Sequence, residues 1–227
     1  MPKKQEKLLE KYYDNNSELI EIGIDEAGRG PMLGRVYAAA VILPKDDSFQ
    51  HNLMKDSKRF TSEKKIKEVA DYIKKNAIAW SIGYSDEKEI DQINIRNATY
   101  NSMHRALKNI LDDKQYLILV DGNDFKPYTK CNDELGLIQI PHICITQGDN
   151  KYTCIAAASI LAKVARDEYI EKLCSDNPEL DIRYNILKNK GYGTKIHLDG
   201  INTYGITKYH RKTFGICQNY NVDKIES

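Results

Sequence analysis

Residues 22–31, Ile-Gly-Ile-Asp-Glu-Ala-Gly-Arg-Gly-Pro, constrain this chain more than any other segment. An apolar strand runs into two adjacent carboxylates, and a glycine-flanked arginine follows at once. Asp25 and Glu26 offer hard oxygen ligands of the kind Mg²⁺ and Mn²⁺ prefer, while Gly28, Gly30 and Gly34 let the following backbone come close to a sugar-phosphate chain. Taken alone, an Asp-Glu pair after a strand is an exposed acidic turn. Followed by this turn, it suits a metal-bound phosphate. Adjacent residues of an ideal strand face opposite sides, so both acids reach one site only if the strand ends or distorts there.

The rest of the chain reads as one α/β unit. Strands are expected at 20–25, 34–43, 77–84, 116–120 and 137–145. A helix begins at Thr61-Ser62-Glu63-Lys64 with a capping hydroxyl, and its Ile66, Val69, Ala70 and Ile73 keep helical spacing. A second helix is expected over about 97–112, and a third near Tyr152 carries the small-residue run AAASILAKVA, suited to close packing on a sheet. Leu8, Leu9, Tyr12 and Tyr13 suggest a short amphipathic N-terminal helix. After Pro178, charge and glycine content rise, which marks a helix-loop-helix cover. The expected divisions are an N-terminal helical extension over 1–17, a catalytic body over 18–178 and a C-terminal helical segment over 179–227.

Composition removes several function classes. With a formal net charge of +1 over 227 residues, the chain is not globally basic, so nucleic-acid affinity has to come from local clusters such as Lys188, Lys190, Lys195, Lys208, Arg211 and Lys212. The five cysteines lack CxxC spacing, which argues against a disulfide framework and against a zinc site and fits a reducing compartment. No stretch approaches the roughly 20 apolar residues of a membrane span. A soluble, cytoplasmic protein is expected.

Six elements resemble the type 2 ribonucleases H, the ribonuclease HII family. They are DEAGRGP with its apolar flanks, Asp56-Ser57-Lys58, Ile93 to Thr99, Val120-Asp121-Gly122-Asn123, Gln147-Gly148-Asp149 with its helix, and Lys190 to Thr194 with Tyr209-His210-Arg211. Together they span about residues 22 to 214, in the family's order. The resemblance implies a ribonuclease H-like mixed β-sheet flanked by helices, with a C-terminal helical segment covering the substrate. It also implies that Asp25, Glu26, Asp121 and Asp149 are the catalytic acids, holding Mg²⁺ or Mn²⁺. By the same resemblance Gly28, Arg29 and Gly30 contact the ribose 2′-hydroxyl and Tyr192 stacks on the next sugar, while Lys58, Lys190, His210 and Arg211 contact phosphates. The implied substrates are RNA/DNA hybrids and duplex DNA containing ribonucleotides, cut by a monomer.

Local context leaves other uses open for single residues. Asp121 could be a turn residue in Asp-Gly-Asn, Asp149 a helix cap, and Tyr192 a packing plug between two glycines. Asp167 reads as a partner for Arg166 or another nearby cation. Asp124 is assigned to a loop. Rival functions are a ribonuclease HIII-like activity confined to longer RNA runs and a catalytically silent hybrid-binding subunit.

Overall fold

Alternating side chains on consecutive apolar strands decide which helices cover which face of the sheet. The computed structural model describes residues 8–15, 18–132 and 136–220. Its strands β1 (Ile20–Ala27), β2 (Val36–Ile42), β3 (Ala79–Ser85) and β4 (Tyr116–Asp121) are followed by a hairpin of β5 (Thr129–Asn132) and β6 (Gly136–Gln139), then by β7 (His142–Ile145). Five of them form a sheet in the order β3-β2-β1-β4-β7. β1 runs antiparallel to β2 and parallel to β4, so the sheet is mixed, as the resemblance implies.

Three helices flank it: α1 (Glu63–Asn76), α2 (Glu87–Lys108) and α3 (Thr153–Asp176). Ile22, Ile24, Ala38, Ala40, Ile118 and Val120 turn to one face and meet Met103, Ala106 and Leu107 of α2. Their neighbours Ala39, Val41, Leu117 and Leu119 turn to the other, where Ile66 and Ile73 of α1 and Ile155 and Leu161 of α3 close over them. Each fully buried Ile or Leu contributes about 2 kcal/mol. On α3, Ala156, Ala157 and Ala158 are fully buried, and these small side chains let the helix backbone lie close against β1.

Downstream, α4 (Glu179–Tyr184), α5 (Ile186–Asn189) and α6 (Lys195–Tyr204) bury Leu180, Tyr184, Ile186 and Ile201 against Ile170 and Leu173 of α3 and against Met32 and Leu33. Backbone bonds stitch the same seam: Met32 N–H donates to Gly191 O at 2.8 Å and Gly34 N–H to Tyr209 O at 2.8 Å. No helix among the described residues is long and apolar enough to cross a membrane.

Several expectations need correction. The expected strand over 137–145 is two strands, because Pro141 lacks an N–H and Ile140 N–H is already bonded to Tyr128 O, so β6 pairs with β5 and only β7 joins the main sheet. α2 begins ten residues early, capped by Asp86 accepting from Glu89 N–H at 2.9 Å, and it is broken at Asn94 (φ 65°). Asn94 itself accepts from Asn97 N–H, which starts the second half near the expected position. Ser62 occupies the cap position of α1 without a side-chain capping bond.

The N-terminal helix is also absent among the described residues 8–15. Glu10 instead exchanges backbone bonds with Lys151 and Thr153, and Tyr13 and Asp14 N–H groups donate to the buried Glu21 carboxylate. Those bonds satisfy the backbone as an extended strap. Residues 1–7 and 16–17 of the expected extension, and 221–227 of the expected C-terminal segment, lie outside the described residues.

Candidate active site

Register places the first two acids side by side. β1 and β4 are parallel neighbours with Ile24 level with Val120, so Asp25 and Asp121 follow at the same height on adjacent strands. Both continue the rows of Gly23 and Leu119, which face α3. The carboxyl ends of neighbouring parallel strands are a favoured ligand position in open α/β sheets. Glu26 joins them by a different route from the one expected, since β1 neither ends nor breaks there but pairs with β2 through Ala27. Pairing with β4 stops at Ile24, which frees that edge of β1, and Asp25, Glu26 and Asp121 line one cleft of about 460 Å³. Asp149 lies outside the cleft wall, on the short turn before α3, where the charges of Asp121 and Asp56 act on it.

Burial, more than neighbouring charge, sets the electrostatics of the acids. Burial pushes the Asp25 carboxyl well above the usual carboxylate range, and the charges of Glu26 and Asp121 push the same way. Burial also raises Glu26, against the pull of Arg29, whose Nη1 lies 3.4 Å from Oε1. Asp149 is pushed up to about 6 by burial and then by Asp121 and Asp56.

Protein donors engage each acid. Asp25 accepts from Glu26 N–H at 2.7 Å and from the Ser159 hydroxyl, Asp121 accepts from Gly148 N–H at 2.6 Å, and Asp149 accepts from Asn150 Nδ2 at 3.1 Å. Among the described residues no group of three His, Cys, Asp or Glu side chains is gathered tightly enough to cage an ion as it stands. The donor chemistry nevertheless suits Mg²⁺ or Mn²⁺: hard oxygens, mutual repulsion, and raised pKa values that a divalent cation would offset.

The glycine turn and a second loop form the other walls. Gly28 sits at φ +95°, and a Cβ there would lie 2.2 Å from Arg166 Nε, so this backbone stays bare toward the cleft. Tyr192, 49% exposed, lies across from Gly30, whose Cβ would meet the Tyr192 ring at 3.3 Å. Lys58 is exposed on the rim. Lys190 lines the cleft too, but its ammonium is shared between Glu171 at 3.6 Å and Glu63 at 3.8 Å.

Two expected phosphate contacts are misplaced. His210 and Arg211 are 1% and 0% exposed, and their polar atoms bond inward to the protein. Neither can reach a phosphate. Sequence reasoning also passed over Ser159 and Arg166, which line the cleft. A hydroxyl inside an apolar helical run needs a nearby partner, and that signal was available for Ser159. Arg166 donates to Lys190 O at 2.7 Å while its buried Nε has no partner. Asp167 pairs with Lys163, a neighbouring cation as expected, and Asp124 is held in its loop by Arg96 and Tyr100.

Comparison with known proteins places this cleft in a family. The family model described as Ribonuclease HII matches residues 22–217. A ribonuclease HII of Bacteroides fragilis is 48% identical over 201 residues, covering 88% of this chain and 92% of the relative. The ribonuclease H2 structure from Pyrococcus horikoshii superimposes with a TM-score of 0.67 at 23% identity, covering 88% of this chain and 95% of that one. Bst-RNase HIII in complex with Mn²⁺ gives a TM-score of 0.57 at 17% identity, covering 83% of this chain and 71% of that one. The last two support the fold, and the first two carry the assignment across the whole cleft, from Asp25 to Tyr192: this chain belongs to the ribonuclease HII family, the type 2 ribonuclease H endonucleases.

Proposed function

We propose that this chain incises duplex DNA on the 5′ side of an embedded ribonucleotide and hydrolyses the RNA strand of RNA/DNA hybrids, leaving 3′-hydroxyl and 5′-phosphate ends. It acts as a cytoplasmic monomer with Mg²⁺ or Mn²⁺. One observation carries the reading: Asp25, Glu26 and Asp121 share a single cleft with the backbone of Gly28, Arg29 and Gly30 and with Tyr192. Asp25, Glu26 and Asp121 would hold the divalent ions, with Asp149 beside Asp121. Bound there, two such ions supply water activation and stabilisation of the leaving oxygen in phosphodiester hydrolysis. The manganese complex of the fold neighbour Bst-RNase HIII is in keeping with this donor set.

The chain's own groups do the positioning. The Gly28–Gly30 backbone approaches the ribose and hydrogen-bonds its 2′-hydroxyl, the group that separates RNA from DNA. Tyr192 stacks on the following sugar and admits deoxyribose. Lys58 takes a phosphate, a contact that fixes the strand without reading sequence.

A duplex carrying one ribonucleotide tests the reading: purified chain in Mg²⁺ or Mn²⁺ nicks it once, with a 3′-hydroxyl upstream. Cutting of long hybrids alone would mark a ribonuclease HIII-like activity, and no cutting of either substrate would mark a silent binding subunit. Tyr192→Ala is expected to reduce single-ribonucleotide incision about tenfold more than hybrid cutting, as loss of an aromatic contact worth about 1.4 kcal/mol would. Equal losses would remove the junction role.

Acid should weaken metal binding. Ligands have to be deprotonated to bind, and Asp149 takes up its proton as pH drops through about 6. Mn²⁺ titrations are therefore expected to show affinity falling as pH drops through about 6. A flat profile down to pH 5 would contradict the involvement of Asp149.

A further inference from the structure

Arg211 heads the largest fully buried side chains among the described residues, and it spends its donors on one turn. Nη2 donates to Gly28 O at 2.6 Å, Nη1 to Arg29 O at 2.9 Å and to Pro31 O at 2.7 Å, and Nε to Gly34 O at 2.8 Å. Its own backbone N–H donates to Met32 O at 2.8 Å. A guanidinium presents five donors in a rigid planar fork. Here the fork ties together four carbonyls of the segment that carries Gly28, Arg29 and Gly30.

The preceding residue reaches the opposite wall of the cleft. Thr207 N–H donates to His210 Nδ1 at 3.0 Å, so the His210 proton sits on Nε2. That nitrogen is 3.1 Å from His197 Nε2, and His197 Nδ1 is 3.0 Å from Tyr192 O. Since the Tyr192 carbonyl can only accept, His197 donates from Nδ1 and accepts at Nε2, and one assignment of protons satisfies all three bonds. Burial, then His197, hold His210 down at about 3, so the relay remains neutral across ordinary pH. Both chains of contacts therefore start from adjacent residues, 210 and 211, and end on the two facing walls, which meet where Tyr192 lies against Gly30.

We propose that His210 and Arg211 are positioning residues for sugar discrimination: Arg211 fixes the shape of the Gly28–Gly30 turn, and His210, acting through His197, fixes the Tyr192 backbone. The spacing between the two walls is thereby set from beneath by one short segment. This rests on the functional reading above, in which the turn reads a ribose and Tyr192 the sugar after it. Neither residue touches substrate.

The two arms predict different losses. Arg211→Lys keeps the charge but not the planar fork, so the turn loosens for every ribose. kcat is expected to fall about 100-fold on single-ribonucleotide duplexes and on long hybrids alike, with KM changed less than about threefold because phosphate contacts remain, as misplacement of reacting groups does. His197→Phe keeps a ring but removes the donor to Tyr192 O, so incision at single ribonucleotides is expected to fall about tenfold while hybrid cutting falls less than about twofold. His197→Gln, which can again donate to that carbonyl, should restore part of the loss. Leu180→Ala, in the same helical cluster but without a bond to either wall, serves as the stability control and should leave the ratio of the two activities at the wild-type value.

Activities are scaled to the folded fraction from thermal unfolding. The proposal is overturned if the His197→Phe ratio equals that of Leu180→Ala, or if Arg211→Lys raises KM alone, the mark of a lost phosphate contact. Should Arg211→Lys not fold, the His197 variants decide. Wild-type enzyme that cuts hybrids but never a single ribonucleotide overturns the functional reading and this proposal together, whereas normal wild-type incision with unchanged variant ratios overturns the proposal alone.

Discussion

Asp25→Asn is expected to lower kcat/KM on a ribonucleotide-containing duplex by roughly 10³-fold, because losing a ligand to the ions forfeits several kcal/mol of transition-state stabilisation. The same substitution is expected to raise the Tm of the metal-free protein by a few degrees. Asp25 has a folded-state pKa well above the usual carboxylate value, with burial as the main cause. The folded state therefore holds this proton more tightly than the unfolded chain does. In the window between the ordinary and the raised pKa, stability falls as pH rises, and above it the ionised group is a full liability. Asn removes the charge at every pH, so the gain in Tm grows as pH rises through the folded-state pKa of Asp25 and shrinks as the solution is acidified. Thermal unfolding across pH beside cleavage assays checks both halves. Retained turnover, or a Tm that falls at neutral pH, would contradict the account.

The second large effect lies in the packing that holds the site. A Cβ added at Gly23 would lie 2.2 Å from Cys154 C, 2.3 Å from Cys154 O and 2.5 Å from Ile155 N. All three are backbone atoms of α3, which cannot rotate away as a side chain can. Gly23→Ala is expected to cost about 3 kcal/mol or more, the upper range for overpacking, and to lower Tm by about 10 °C for a domain of this size. Function should suffer in the fraction that stays folded, because pushing α3 off β1 separates Ser159 from Asp25 and shifts the turn bearing Asp149. Calorimetry and single-turnover rates at a temperature below the lowered transition separate the two effects. A Tm within about 1 °C of wild type would show that the close approach of α3 to β1 is wrong.

These two residues also show what was legible in the sequence. β1, β2, β4 and α3 have strong short-range signals, apolar runs or a small-residue stripe, and the structure forms them close to the expected positions. Asp121 ends β4 and Asp25 lies two residues before the end of β1, one step past the level pair Ile24 and Val120, so the two apolar runs already pointed to both acids. The first half of α2 escaped because Ile90 is its one buried residue before Asn94 and makes no stripe. The β5–β6 pair escaped because Thr129, Cys131, Leu137 and Gln139 are exposed, so no buried face marks either strand. Arg211 was the hardest. A basic residue in a basic stretch reads as a surface contact, whereas its partners Gly28 and Gly34 lie 183 and 177 residues upstream. No local pattern encodes a bond of that separation.

Anomalous diffraction from crystals soaked in Mn²⁺ addresses the gathering of the acids most directly. The account predicts two peaks in the cleft, about 4 Å apart, with carboxylate oxygens of Asp25 and Asp121 bound to the metal. Peaks confined to other surfaces, with Asp25 and Asp121 still bonded only to Glu26 N–H, Ser159 and Gly148 N–H, would contradict it.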